Sequence, residues 1–316
     1  MVGDRPEALR IKRLDDKGGK VAENKKNHAR APWQDEMAPG DFVSYAPTYR
    51  VGKYFSLYGK KVFPCGTVGN ISYYLHDPVK NGRDAAKQYP LLVFFHGGTN
   101  ALNGDICINY SGAEYYASEA YQESMGGGAY ILIPLANERR MPDGKVAGGW
   151  SDAYIAPCME MIDKLKAEIQ NISKTILFGN SSGATFIWKL LLNAPNAFDG
   201  FVPMGASHTL CKEEIDLLRT TKVSLLLAHG RRDELCPFDV HLACMEEELL
   251  KMENCICYFP EWVRNSDGGV ASINFGFEMG QHCIVNAIHS NLIFDDGQAY
   301  DERLPEGVTG WIRGIL

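Results

Sequence analysis

From residue 89 onward the chain alternates two textures. Runs in which nearly every position is apolar (91–95, 129–134, 175–178, 200–204, 223–228 and 255–259) are separated by longer stretches of helical pattern at 109–124, 156–169, 182–193, 212–218 and 240–252. A short strand without polar positions is one covered on both faces, as in a parallel sheet. The stretches between the runs are then the helices that cover it. Strand alternating with helix predicts an α/β fold, with a mostly parallel central sheet and helices on both faces. Upstream the pattern changes: 54–58, 61–63 and 71–75 are short, aromatic and β-branched, separated by Gly-Lys, Pro-Cys-Gly and Gly-Asn. These predict antiparallel strands at the N-terminal edge of the sheet. Residues 1–40 hold too few apolar positions for any period, which predicts a mobile or loosely docked arm ahead of one domain over 41–316.

Composition narrows the function classes without changing that picture. The chain has 45% hydrophobic and 22% charged residues and a net charge of −7. That is ordinary globular composition, able to bury a core. With 32 basic against 39 acidic residues and no basic block, it carries no electrostatic footprint for nucleic acid. No stretch approaches the roughly 20 apolar residues of a membrane span, and the first residues lack a secretory apolar region, so the expected location is cytoplasmic. Nine cysteines, scattered and without Cys-x-x-Cys or zinc spacing, predict free thiols in a reducing compartment.

In a sheet of this kind ligands bind beyond the carboxyl ends of the strands. Four such positions carry reactive or anion-stabilising groups. Gly179-Asn-Ser-Ser-Gly183 follows the run 175–178 and precedes a helix, the setting of a Gly-x-Ser-x-Gly turn that presents a nucleophile. The strained turn requires very small residues two before and two after the nucleophile. Gly179 and Gly183 satisfy this for Ser181, whereas Ser182 is flanked by Asn180 and Ala184. Ser181 is therefore the candidate nucleophile, and Ser182 at the helix start would offer its backbone N–H to an oxyanion. His96-Gly-Gly98 follows 91–95, and the amides of Gly97 and Gly98 are the candidate partners in that oxyanion hole, with His96 holding the loop. Asp233 lies in His229-Gly-Arg-Arg-Asp-Glu-Leu-Cys-Pro237 beyond 223–228 and is favoured over Glu234 and Asp239 as the carboxylate that fixes the base. His282, in Gly280-Gln-His-Cys, precedes an apolar helix over 283–288 and is favoured as base over His289, which lies within that helix. Trp150, His208 and Trp262 are candidate pocket residues, and the loops 99–108 and 261–280 candidate lids.

With His96-Gly-Gly98, Gly179-Asn-Ser-Ser-Gly183, Asp233 and His282 in that order, the chain resembles the α/β-hydrolase superfamily from about residue 89 to its end. It looks most like esterases related to feruloyl esterases, polyhydroxybutyrate depolymerases and the catalytic domain of prolyl oligopeptidases. One departure is Thr99, where many esterases carry a third consecutive glycine. The resemblance implies a serine esterase acting on small-molecule esters through a Ser-Asp-His triad and an acyl-enzyme, with no metal or organic cofactor. A serine peptidase or other acyl transferase would use the same residues, and a non-catalytic binding protein is the third reading.

Overall fold

A computed structural model of the chain describes residues 28–35, 60–65, 69–98, 113–136, 139–140, 146–147, 149–264 and 280–315. Its frame is an eight-stranded sheet built from β1 (Lys61–Cys65), β2 (Gly69–His76), β3 (Tyr89–Phe95), β4 (Tyr130–Leu135), β7 (Ile172–Asn180), β8 (Gly200–Met204), β9 (Ser224–Ala228) and β10 (Cys255–Tyr258). The spatial order is β1-β2-β4-β3-β7-β8-β9-β10. The pairs β1–β2 and β2–β4 are antiparallel and the rest are parallel. Two-residue strands β5 (Arg139–Arg140) and β6 (Val146–Ala147) form a small hairpin in the loop beyond β4. The expected strand at 54–58 lies outside the described residues.

Period-two alternation divides the strand residues between two cores. Leu91, Val93 and Phe95 of β3 face one cluster, with Trp188 and Phe186. Leu92 and Phe94 face the other, with Tyr116, Ile288 and Ile312. Helices cover both: α2 (Glu119–Ser124), α3 (Ile155–Glu168), α4 (Ser182–Asn193), α5 (Lys212–Arg219), α8 (Val285–His289) and α9 (Gly307–Gly314). This double covering is why the strands read as nearly unbroken apolar runs.

Two expected helices differ from their sequence pattern. Within 109–124 a 3₁₀ turn at Ala113–Ala117 precedes α2, because Ser118 accepts from Tyr121 N–H as an N-cap and starts a new helix. The stretch 240–252 divides into α6 (Phe238–His241) and α7 (Glu246–Leu250). The His241 carbonyl there accepts from Leu210 N–H, while Met245 N–H turns to Leu242, so the continuous i to i+4 ladder is broken.

Residues 28–35 are docked on the domain. Pro32 opens α1 (Pro32–Asp35), and Gln34 Oε1 reaches back to Ala31 N–H at 2.8 Å, half of a capping box. Trp33 is 2% exposed and donates its indole N–H to the His289 carbonyl at 2.7 Å. A cavity of about 340 Å³ beside this segment is lined by Arg30, Trp33, Ser290 and Arg313, away from the serine turn. At the far edge of the sheet, the Cys257 and Cys255 carbonyls of β10 accept from Tyr300 Oη and Arg303 Nη1, each at 2.8 Å, which covers an edge that would otherwise template another strand. No helix among the described residues is long and apolar enough to cross a membrane.

Candidate active site

The chain order reverses between β3 and β7: successive strands run outward from β3 to β4, then cross back to β7 on the other side. Such a reversal opens a crevice at the carboxyl ends of the two strands. Phe95 at the end of β3 is in register with Gly179 near the end of β7, so the His96 turn and the serine turn are neighbours.

Ser181 occupies that turn with φ 55° and ψ −116°, a positive φ at a residue that has a Cβ. Such a conformation costs on the order of 1–3 kcal/mol and persists only where its surroundings over-determine it. They do so here: Ser181 N–H is bonded to the Met204 carbonyl at 2.8 Å, and the Ser181 carbonyl accepts from Thr185 N–H at 3.0 Å, starting α4. The flanking glycines are sterically required. A Cβ on Gly183 would lie 2.1 Å from the Phe95 carbonyl oxygen, and one on Gly179 would lie 2.5 Å from the Gly183 oxygen.

The glycine loop lies directly over the turn. A Cβ on Gly97 would sit 3.4 Å from Ser181 Cβ, and one on Gly98 would sit 3.6 Å from Ser182 Cβ. His96 holds this loop through both ring nitrogens, Nδ1 to the Gly97 carbonyl at 2.9 Å and Nε2 to Ala136 N–H at 3.0 Å. That network assigns the proton to Nδ1. Burial lowers His96 to about 4, which keeps it neutral. Trp150 donates its indole N–H to the His96 carbonyl and stacks on Phe186, so it props the loop from below.

Asp233 is fully enclosed in the turn after β9. Its Oδ1 accepts from Leu235 and Cys236 N–H, both at 2.9 Å, and its Oδ2 accepts from His282 Nδ1 at 2.6 Å. Glu234 and Asp239, the other carboxylates of this loop, are exposed. His229 is buried beside Asp233, 3.7 Å from its Oδ2, and turns Nε2 to the Cys236 carbonyl at 2.7 Å; burial lowers its pKa. Burial, reinforced by the Asp233 charge, pushes the Cys236 thiol up to about 12. His282 ends a 3₁₀ turn at Gly280–His282 and is 6% exposed. With Nδ1 on Asp233, its Nε2 is buried without a hydrogen-bond partner among the described residues, so no hydrogen bond joins it to Ser181.

Gly205 relates the two halves of the site. It follows Met204, which binds the Ser181 amide, and a Cβ on it would lie 3.2 Å from His282 Nδ1 and 3.5 Å from Asp233 Oδ2. Its φ of 64° also favours glycine. The histidine turn is fixed by Gln281, whose side chain binds both polar groups of the Val263 backbone, and by Gly230, where a Cβ would meet the Gln281 carbonyl at 2.5 Å. The sequence pattern places Gly205 only in a pocket-lining string with His208 and gives Gly230 and Gln281 no role. The legible signal was a glycine just beyond β8 and β9, where the strand ends converge.

His208 is stacked on Trp188 and bonded through Nε2 to Glu214 at 3.1 Å. Trp262 lies under the Arg232 guanidinium at 3.8 Å, which is itself bonded to Glu261. His289 is buried against Phe94 with Nδ1 on Tyr116 Oη at 3.2 Å, in the core on one face of the sheet. The loop 99–108 lies outside the described residues, as does 265–279 of the second lid candidate.

No protein-family model and no curated protein sequence matches this chain. Among solved structures, a thermostable esterase is similar over 75% of this chain at 18% identity and a TM-score of 0.57. The matched region spans 61% of that esterase. A ferulic acid esterase is similar over 64% of this chain and 88% of its own length, at 13% identity and a TM-score of 0.51. At these identities the likeness carries the fold and not the substrate: the chain has the α/β-hydrolase fold.

Proposed function

We propose that this chain is a serine-dependent carboxylic ester hydrolase. The observation that carries the reading is the buried Asp233–His282 pair at 2.6 Å, whose outer nitrogen is unpartnered among the described residues, set around the strand-to-helix turn that holds Ser181 at positive φ. Catalytic hydrogen bonds are often long or poorly aligned in a substrate-free site and tighten when substrate binds. In the proposed reaction His282 Nε2 takes the proton of Ser181 Oγ as that oxygen attacks the acyl carbon. Nδ1–H stays with Asp233, whose charge stabilises the imidazolium. The amides of Gly97, Gly98 and Ser182 hold the oxyanion, the last from the unpaired first turn of α4. Nε2 then protonates the leaving alcohol, and a water deprotonated by the same nitrogen releases the acid. Each step is carried by the chain's own groups.

An organofluorophosphonate tests the assignment directly. It is expected to add one equivalent per chain, with peptide mass spectrometry placing the adduct on Ser181, and to abolish hydrolysis of nitrophenyl esters. Labelling elsewhere with activity retained would sink the assignment. The structural neighbour named a ferulic acid esterase makes methyl ferulate the first aromatic ester to try beside nitrophenyl esters of rising chain length. An aminoacyl-nitroanilide in the same panel reads the peptidase alternative: faster turnover of the anilide than of every ester would replace esterase by peptidase.

A further inference from the structure

The residues around Asp233 include a thiol that the proposed reaction does not use. Asp233, Cys236 and His282 are all buried, and one ligand atom from each lies within 4.8 Å of the other two. Asp233 Oδ1 is taken up by two backbone N–H groups, which leaves Oδ2 facing the imidazole. The hydrogen bonds of Cys236 run through its backbone N–H and carbonyl, so among the described residues its sulfur is uncommitted.

Carboxylate oxygen, imidazole nitrogen and thiolate sulfur together are a donor set for borderline-soft divalent ions of the zinc type, with bonds of about 2.0–2.3 Å. Bonds of that length put tetrahedral ligands roughly 3.3–3.8 Å apart, so Asp233 Oδ2 and His282 Nδ1, 2.6 Å apart without an ion, open by about one ångström while the sulfur, within 4.8 Å of both, closes by up to about as much. Two anionic donors also balance a dication, which removes most of the cost of burying its charge.

We propose that Asp233, Cys236 and His282 form an inhibitory site for a zinc-type divalent cation, an inference that rests on reading His282 as the catalytic base. The cation bonds to Asp233 Oδ2, Cys236 Sγ and His282 Nδ1. The thiol proton leaves to solvent, and the imidazole proton moves from Nδ1 to Nε2. No electron is transferred, and one proton is released per ion bound. With its proton on Nε2, His282 cannot accept from Ser181, and hydrolysis stops. Mg²⁺ and Ca²⁺, which prefer oxygen ligands, do not compete for a site that includes sulfur.

The test uses the full chain in a non-chelating buffer. Micromolar Zn²⁺ is expected to slow ester hydrolysis at least tenfold, with recovery on adding EDTA and no effect from Mg²⁺. Cys236→Ala and Cys236→Ser keep the backbone donors to Asp233. Both are expected to retain the metal-free rate and to need at least tenfold more Zn²⁺ for half-inhibition. Co²⁺ alone is expected to give the wild type a near-ultraviolet thiolate-to-metal band at one equivalent, weaker or absent in both variants. That band does not depend on turnover: if it forms as expected in a chain that hydrolyses no ester, the esterase reading fails and the metal site stands. Ester hydrolysis indifferent to Zn²⁺, or equally inhibited in wild type and both variants, or a Co²⁺ band unchanged by them, overturns the metal site and leaves the esterase reading in place.

Discussion

At the scale of single residues, the two adjacent serines differ by backbone rather than by chemistry. Ser181 holds the positive φ and is clamped by Met204 and Thr185, while Ser182 has already entered α4. Ser181→Ala is therefore expected to lower kcat on the order of 10³-fold or more while leaving the unfolding midpoint close to wild type. Ser182→Ala keeps its amide and is expected to cost far less. A dead Ser182→Ala beside an active Ser181→Ala, measured on one nitrophenyl ester, would reverse the roles. Gly183 allows a separate test of the turn itself. Its missing Cβ would stand 2.1 Å from a backbone oxygen of β3, which no side-chain rotation can relieve. Gly183→Ala is expected to destabilise the fold by about 1–3 kcal/mol or more in urea unfolding and to displace the turn, so that activity falls as well. Unchanged stability and rate would mean that β3 and α4 are not held at this separation.

Elements show where local signals were overridden. The stretch 28–35 has few apolar residues, yet Ala31-Pro-Trp-Gln34 builds its own helix start, with proline at the first helical position and glutamine reaching back. His28 docks one end of it on Tyr258 and Phe294, and Trp33 docks the other: it packs edge-on to Tyr121 at 5.0 Å and fills the open carbonyl of His289 in the last turn of α8. Trp33→Ala is expected to lower stability by about 3–5 kcal/mol, the usual cost of emptying a buried tryptophan site, with kcat on a soluble ester little changed because Trp33 touches none of the site residues. Denaturant titration beside steady-state kinetics checks both halves, and an undiminished midpoint would mean that the segment contributes nothing to the fold.

For the whole molecule the buried histidines set a pH dependence of stability. Burial lowers His28, His76 and His96 to about 4 each. Their unfolded values lie near 6.5, so between pH 6.5 and 4 the unfolded chain binds more protons than the folded one. The stability contributed by keeping these rings neutral is complete above about pH 6.5 and is lost as pH falls towards 4, with a summed loss on the order of several kcal/mol. The thermal midpoint is expected to drop steeply over that window. His28, one of these rings, is bonded to Tyr258 Oη at 2.8 Å and stacked on Phe294. His28→Gln removes one of the titrating groups and is expected to flatten the slope; parallel curves for variant and wild type would show that this histidine takes up no proton on unfolding.

The sequence by itself determined the alternation of covered strands and helices, the antiparallel edge, and the serine turn with its two glycines. Each of these is a local matter of hydrophobic period or of steric room at a tight turn, and period and glycine are written in adjacent residues. Only the tertiary structure decided that Asp233 and His282, 49 positions apart, share a hydrogen bond, that Gly205 and Gly230 leave the space in which they meet, and that Trp150 props the His96 loop. It also decided that the stretch 240–252 breaks where Leu210 claims the carbonyl of His241. These contacts depend on which strand ends the crossover brings together, and residues distant in the chain carry no local period that records their meeting.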